Sequence, residues 1–359
     1  MNRIRVILFL VISAVFGMKN NNNIELQFNE NHEYTIVQFT DLHYGEKDSS
    51  NLENNETQET ILKVVKPDMV VVTGDSVSGY SWDGKSQTFY QDNWKIFSSS
   101  FVKYKTPYAY TFGNHDTQAN LTPQECGELD KTNPYSLFAG DPSVDSESLS
   151  NYYLELKSAF QSSKSGADKP ISMLLWLFDT KTTGCNGISQ SWGCINKAQL
   201  DWYTKTQNKI NEMNKQQING LAFFHIPPVE SLYLWNFGLT YGQKNESVNC
   251  PMYDTGVIAR FMQSGNIKGV FVGHDHNNDF AGYYGDIELV YGRKTGKSGY
   301  GPVMGRGARV IKLKETITDD GVIDFEYQHY IVNHLGQKLE RGPTSWQGWK
   351  SYRETCAFI

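Results

Sequence analysis

Five of the eight histidines follow closely on apolar runs, and acids or an asparagine stand beside them. "YTIVQF" (34–39) leads into Asp41 and His43, and "DMVVVT" (68–73) into Asp75. "PYAYTF" (107–112) leads into Asn114, His115 and Asp116, "GLAFF" (220–224) into His225, and "KGVFV" (268–272) into His274 and His276. Imidazole selects zinc, iron or manganese, while carboxylate and amide oxygens suit harder ions, so the set fits two divalent or mixed-valence metals. It contains no thiolate, which argues against a structural zinc site and for open coordination positions. A carboxylate bridging two metals about 3.5–4 Å apart is a geometry used by phosphatases and nucleases. Singly, each residue has a simpler reading as a cap or turn residue after a strand. Those readings leave unexplained why every strand tip carries metal-ligand chemistry. His32, His329 and His334 lie off the pattern and read as structural.

The elements that must position these groups alternate. Each apolar, β-rich run ends in a short polar tip, and helical composition follows at 56–66, 196–217 and, more briefly, 253–264. "ISMLLWLFDT" (171–180) reads as a further buried strand. Strands alternating with helices indicate an α/β fold with largely parallel, buried strands. In such sheets the loops at the carboxyl ends of the strands converge, so residues distant in sequence meet in one crevice. After about Asp286 the pattern changes to strand and turn, in "IELVYGR", "ARVIKLKE" and "VIDFEYQHYIV", as expected for antiparallel strands closing a second sheet. No internal repeat or linker interrupts residues 34–359, which read as one domain. The Gly-rich stretch 292–309 reads as a flexible loop near the site rim, because no strand–loop–helix frame makes it a phosphate-binding P-loop.

The net charge of −6 over 359 residues argues against a binder of nucleic-acid polymers or anionic membranes, both of which need a basic surface. Arg3 and Arg5 precede an apolar run, Val6–Phe16, too short to span a bilayer. Residues 1–17 therefore read as a secretory signal peptide, leaving no transmembrane anchor after cleavage, and 18–33 as a loose Asn-rich lead-in. The expected location is outside the cell or in the lumen of an acidic or secretory compartment. Asn55, Asn120 and Asn245 begin glycosylation sequons. The five cysteines leave one unpaired, and Cys185 and Cys194, bracketing "CNGISQSWGC", are the best disulfide pair.

In this order, "DLH", "GDS", "GNHD", "FFH" and "GHDH" resemble the motifs of the calcineurin-like metallophosphoesterase superfamily, over about residues 34–315. The secreted branch related to purple acid phosphatases is the nearest match. The resemblance implies two mixed β-sheets packed as a sandwich and flanked by helices, with a dinuclear metal site at the carboxyl ends of the strands. It implies that Asp41, His43 and His276 hold one metal, that Asn114, His225 and His274 hold the other, and that Asp75 bridges them. His115 would be the general acid, oriented by Asp116. Hydrolysis of a small phosphoester needs neutralised oxygens, a low-pKa water and a proton for the leaving oxygen, and this set supplies all three. A phosphomonoesterase is the leading expectation, a phosphodiesterase of nucleotides or phospholipid head groups the rival, and a non-catalytic metal-binding protein the alternative of another class. Aromatics at Tyr80, Trp82, Tyr233 and Trp235, in the insertions 76–93, 117–150 and 226–252, are candidate stacking surfaces. Purple acid phosphatases carry a metal-binding tyrosine where this chain has Ser78, so no tyrosinate–iron colour is expected. The oligomeric state is not legible.

Overall fold

The structure, a computed structural model, describes residues 24–160, 169–340 and 355. The expected signal peptide and residues 18–23 of the lead-in lie outside that range. The first half of the chain forms β1 (Leu26–Gln27), β2 (Glu33–Phe39), α1 (Asp48–Val65), β3 (Met69–Thr73), α2 (Phe89–Tyr104), β4 (Tyr108–Thr111), α3 (Pro123–Asp130), β5 (Tyr152–Lys157) and β6 (Ile171–Leu177). There follow β7 (Thr183–Cys185), β8 (Ile188–Trp192), α4 (Lys197–Asn214), β9 (Gly220–Phe223), α5 (Val229–Phe237), α6 (Val257–Ser264) and β10 (Ile267–Val272). The last elements are β11 (Ala281–Tyr284), β12 (Ile287–Tyr291), β13 (Gly307–Ile317), β14 (Ile323–Asn333) and β15 (Lys338–Leu339).

Two large mixed sheets result. One has the order β15-β14-β13-β2-β3-β4, the other β1-β5-β6-β9-β10-β12-β11. Alternation along β6 explains how they stack. Met173, Leu175 and Leu177 face the core shared with the six-stranded sheet, whereas Leu174, Trp176 and Phe178 face a second core built with α4 and α6. A strand buried on both faces has no polar alternation to show, which is why "ISMLLWLF" reads as one apolar run. Helices α1 and α2 cover the outer face of the six-stranded sheet through Ile61, Leu62, Trp94, Phe97 and Phe101. Burying such side chains contributes roughly 1.5–3 kcal/mol each.

Several expectations need correction. β13 and β14 do not close a separate second sheet: β13 runs antiparallel to β2, with Ile311 opposite Ile36, and so completes the N-terminal sheet. β12 joins the other sheet, parallel to β10. Residues 24–33 are not a loose lead-in, since Leu26 pairs with Leu156 and Phe28 is buried. The stretch 292–309 is not a simple flexible loop. Arg293, Lys294 and Thr295 are buried, and Thr295 N and Gly296 N donate to the carbonyls of Thr40 and Asp41. The insertions expected as rim loops contain the start of α2 and the whole of α3 and α5. For α2 the signal is present in the spacing of Tyr90, Trp94, Phe97 and Phe101, a buried helical stripe.

Cys185 and Cys194 form a disulfide with Cα atoms 5.5 Å apart, closing the β7–β8 hairpin. Cys126 is the free, buried thiol, and Cys250 is disulfide-bonded. Two of the three sequon asparagines are hydrogen-bonded within the fold. Asn55 lies within α1 and accepts from the Tyr44 hydroxyl at 2.8 Å. Asn120 donates from its side-chain nitrogen to Gln87 O and Gln91 Oε1, bonds that a glycan would break. Asn245 is exposed.

Away from the strand tips, α3 ends on a buried carboxylate, Asp130, which accepts from the Tyr108 and Ser136 hydroxyls. Burial pushes its pKa up to about 7. The raised folded-state value favours the protonated form, so its contribution is fully present below the unfolded pKa near 4 and is lost as pH rises through 7, at about 1.4 kcal/mol per pH unit. Melting of the Asp130→Asn protein between pH 5 and 8 is the check. Wild type will lose stability relative to the variant as pH rises, and parallel curves would remove Asp130 from the account.

Candidate metal centre

Every parallel strand tip that carries a candidate ligand opens on the same seam between the sheets. Asp41 and His43 follow β2, Asp75 follows β3, and Asn114 and His115 follow β4, all from the six-stranded sheet. His225 follows β9, and His274 and His276 follow β10, from the seven-stranded sheet. Gln38 fastens the two layers just below, donating to Thr73 Oγ1 at 2.9 Å and to Val272 O at 3.0 Å. The chain must turn sharply at each tip to aim a side chain into the seam. Asp41, His43, Asp75 and His274 accordingly hold positive φ, at 54°, 58°, 53° and 76°. That conformation costs a non-glycine residue on the order of 1–3 kcal/mol and is typically retained at functional sites.

The side chains meet in two buried groups, Asp41–His43–His276 and Asp75–His225–His274, with the ligand atoms of each within 4.8 Å of one another. Each group therefore draws on both sheets. Asn114 adjoins the second, its Oδ1 2.9 Å from His225 Nε2. Asp75 Oδ2 lies between the groups, 3.2 Å from His225 Nε2 and 3.7 Å from His43 Nε2. Close packing enforces this juxtaposition: a Cβ on Gly113 would come within 2.2 Å of Asp75 Oδ1, and one on Gly273 within 2.0 Å of Thr40 Oγ1.

The histidines are held in the tautomer a metal needs. His225 Nδ1 lies 2.7 Å from the carbonyl of Thr73, and His276 Nδ1 2.9 Å from that of Tyr300. A carbonyl only accepts, so both Nδ1 atoms carry the proton and both Nε2 atoms are free to ligate. His43 Nδ1 lies 3.0 Å from Ser78 Oγ, which donates onward to Glu46 at 2.9 Å. Ser78, at the position of the purple-phosphatase tyrosine, thus orients a histidine. His274 Nε2 is buried without a hydrogen-bond partner, a costly state for a polar atom that a metal would relieve. The electrostatics agree. Burial drives His43 and His274 down, the latter to about 3. Although burial alone would raise them, His276 holds the Asp41 carboxyl, and His225 that of Asp75, well below the usual range. Against the downward pull of burial, Asp75 and Asp41 hold His225 at about 10. Ionised acids, the neutral rings of His43 and His274 and an orphaned nitrogen are a donor set that fits two divalent cations, with the proton on His225 Nε2 displaced when a metal binds.

Two expected positions differ. Asp116 does not touch the His115 ring. Its carboxylate accepts from the backbone N–H groups of Asp75, Ser76, Val77 and Gly113, at 2.8–3.0 Å, and so ties the β3 tip to the β4 tip. Burial and the adjacent Asp75 charge raise its pKa to about 6. The His115 ring is paired instead with Gln118, Nδ1 to Oε1 at 2.8 Å. Of the four proposed aromatics, Tyr80 lines the cavity over the metal groups, with Trp192 and Tyr300 in place of the other three. Trp235 packs on Phe280, Trp82 donates to Ser86 O, and Tyr233 is surface-exposed. Trp192 lies in the disulfide hairpin and Tyr300 in the 292–306 loop; only their flanking cysteines and glycines set these segments apart in sequence. Asp275, between His274 and His276, accepts from Tyr291 and Asn249 at 2.7 and 2.6 Å and braces the loop.

Known proteins resemble this chain in sequence and in fold. The chain is 28% identical over 331 residues to a probable inactive purple acid phosphatase 28 of Arabidopsis thaliana, covering 83% of this chain and 79% of that protein. It is 28% identical over 279 residues to phosphatase DCR2 of Saccharomyces cerevisiae, covering 71% of this chain but 46% of the yeast protein. Among solved structures, a dimetal phosphatase from Danio rerio superposes with a TM-score of 0.53 at 11% identity, over 84% of this chain and 99% of that one. GAP50, the anchor in the inner membrane complex of Plasmodium, superposes with a TM-score of 0.50 at 12% identity, over 87% and 88%. Likeness this distant shows the fold alone. The profile of the calcineurin-like phosphoesterases matches residues 34–278, and with both ligand groups inside that span the chain belongs to the calcineurin-like phosphoesterase family.

Proposed function

We propose that the protein is a secretory-pathway phosphomonoesterase in which His115 protonates the leaving oxygen. The observation that carries this reading is the placement of His115. It belongs to neither metal group, yet its ring stands on the wall of the cavity above them, 5.7 Å from the ring of His43. Gln118 Oε1 accepts from Nδ1, so the second proton of an imidazolium sits on Nε2 and can be donated. When bound, a metal pair supplies charge neutralisation at the phosphoryl oxygens and a water of lowered pKa. The water gives up one proton to solvent as its oxygen bonds to phosphorus, the ester P–O bond breaks, the leaving oxygen takes the Nε2 proton, and His115 recovers a proton from solvent. The intact ligand set favours this reading over a non-catalytic metal-binding use of the same fold.

The test is turnover of an aryl phosphate against its bis-aryl diester by protein loaded with zinc, manganese or iron. The monoester should be favoured by well over about tenfold, because the second ester group has to be housed beside the aromatic rim. Diester preference would transfer the proposal to the rival activity. The N-terminal apolar run, the disulfide and the exposed Asn245 sequon support the secretory location. Protein from eukaryotic cells should carry a glycan at Asn245, seen as an endoglycosidase-sensitive mobility shift absent from Asn245→Gln. A shift retained in that variant would refute this site.

A further inference from the structure

The cavity above the metal groups has a volume of about 370 Å³ and room for more than a phosphate. Its upper wall is aromatic, and the rings come from three separate segments. Tyr80 stands on the short helical turn Gly79–Ser81, Trp192 ends the β8 hairpin arm, and Tyr300 rises from the 292–306 loop. Each ring backs onto a different site histidine: Tyr80 edge-on to His115 at 4.5 Å, Trp192 edge-on to His274 at 4.5 Å, and Tyr300 stacked on His276 at 4.0 Å. Tyr80 and Tyr300 remain 49% and 51% exposed, so each keeps surface free for a ligand. The Trp192 indole N–H has no hydrogen-bond partner.

The charge around this wall has one sign. No lysine or arginine among the described residues lines the cavity. Lys294 is buried beneath it, with Nζ on the carbonyl of Asp41 at 2.8 Å. The two tyrosines lean on carboxylates instead. Glu46 accepts from the Tyr80 hydroxyl, from Ser78 Oγ and from Gly299 N, and these bonds keep it ionised against its partial burial. Glu246 lies beside the Tyr300 hydroxyl and accepts from the backbone N–H of Asn277, the residue after His276, at 2.5 Å. A metal pair and His115 can handle one phosphoryl group, but a second phosphate held at the rim would meet π-faces and two acids with no cation to pair with.

We infer that this site, resting on the phosphomonoesterase reading above, selects monoesters of a flat, uncharged ring and rejects those that carry a second phosphate. Tyr80, Trp192 and Tyr300 read the ring, and Glu46 and Glu246 supply the repulsion.

Benzyl phosphate and ethyl phosphate test the first half, since both release a primary alcohol and leaving-group acidity is nearly removed from the comparison. The kcat/KM ratio should favour benzyl phosphate by about tenfold or more, chiefly through KM. Tyr300→Leu and Trp192→Leu should each shrink that ratio by about threefold or more. If the rings only brace the histidines, both substrates will slow together and the ratio will hold, which overturns the inference. The second half is read with the bisphosphate of 1,4-benzenedimethanol, expected to fall about tenfold below benzyl phosphate at low salt and to recover at high salt as the repulsion is screened. Equal or better turnover of the bisphosphate overturns it. Calorimetry of benzylphosphonate and ethylphosphonate on zinc-loaded protein keeps the two readings apart. Absent turnover with a retained benzyl preference in binding would remove the enzymatic reading and keep the aromatic subsite, whereas equal affinities would remove the subsite.

Discussion

Replacing His115 by alanine will lower phosphomonoester turnover by about 10²–10⁴-fold while both metals stay bound. The two halves of this expectation have separate structural grounds. Metal retention follows because the His115 ring is in neither ligand group. Its backbone supports the site, the N–H donating to Asp75 Oδ1 at 2.9 Å and the carbonyl accepting from Gly79 N at 3.2 Å, and alanine keeps both bonds. The loss of rate follows because the described cavity wall offers no other strong proton donor: the tyrosine hydroxyls there are held protonated by burial and nearby carboxylates. An ester with a very acidic leaving group, such as 2,4-dinitrophenyl phosphate, should be much less affected than an alkyl ester, since it needs little help from an acid. Elemental analysis beside the rate measurement decides the matter. An unchanged rate would end the acid assignment, and a lost metal would move His115 into the coordination shell.

Asp75→Ala will have the opposite signature, with metal lost first and activity lost in consequence. Among the described residues its carboxylate is the one that lies within 4 Å of imidazole nitrogens from both ligand groups, so its removal weakens both at once. A metal stabilises a fold in proportion to RT ln(1 + [L]/Kd). The rise in melting temperature on adding zinc should therefore shrink sharply in the variant. The metal-free fold should suffer much less. Asp75 is a buried acid beside Asp116, whose pKa it helps to raise, and its deletion relieves that repulsion. A variant that still binds two equivalents with an unchanged thermal shift would refute the bridging role.

Asp116 shows where reading along the chain stops. It follows His115 directly, and adjacency makes it look like that histidine's partner. In the folded protein the neighbours point apart: His115 faces the cavity, while the Asp116 carboxylate turns into the layer below and gathers four backbone amides from two strand tips. The aromatic rim has a similar history. Trp82, Tyr233 and Trp235 are as prominent in the sequence as Trp192 and Tyr300, yet the rim takes Tyr80, Trp192 and Tyr300. A ring's distance from the seam depends on how α5 and the β7–β8 hairpin pack, and no local pattern records that.

The amino-acid order carries, unaided, the properties that live within a few residues. Apolar runs of strand length, the polar tip after each, and the histidine, aspartate and asparagine at those tips are all local, and they sufficed for an α/β fold with metal chemistry at the carboxyl ends of its strands. The Cys185–Cys194 pair was legible for the same reason, being nine residues apart. Which strands become neighbours is fixed by the folded arrangement of the two sheets. β13 lies against β2 across most of the chain's length, and each metal group takes ligands from both sheets. A strand's periodicity says which faces are buried but not what covers them. Sheet order, the binding of Asp116 to the β3 tip, and the choice of rings at the rim are settled by packing and hydrogen-bond satisfaction among segments far apart in the chain. Those energies exist only once the two sheets have closed on each other.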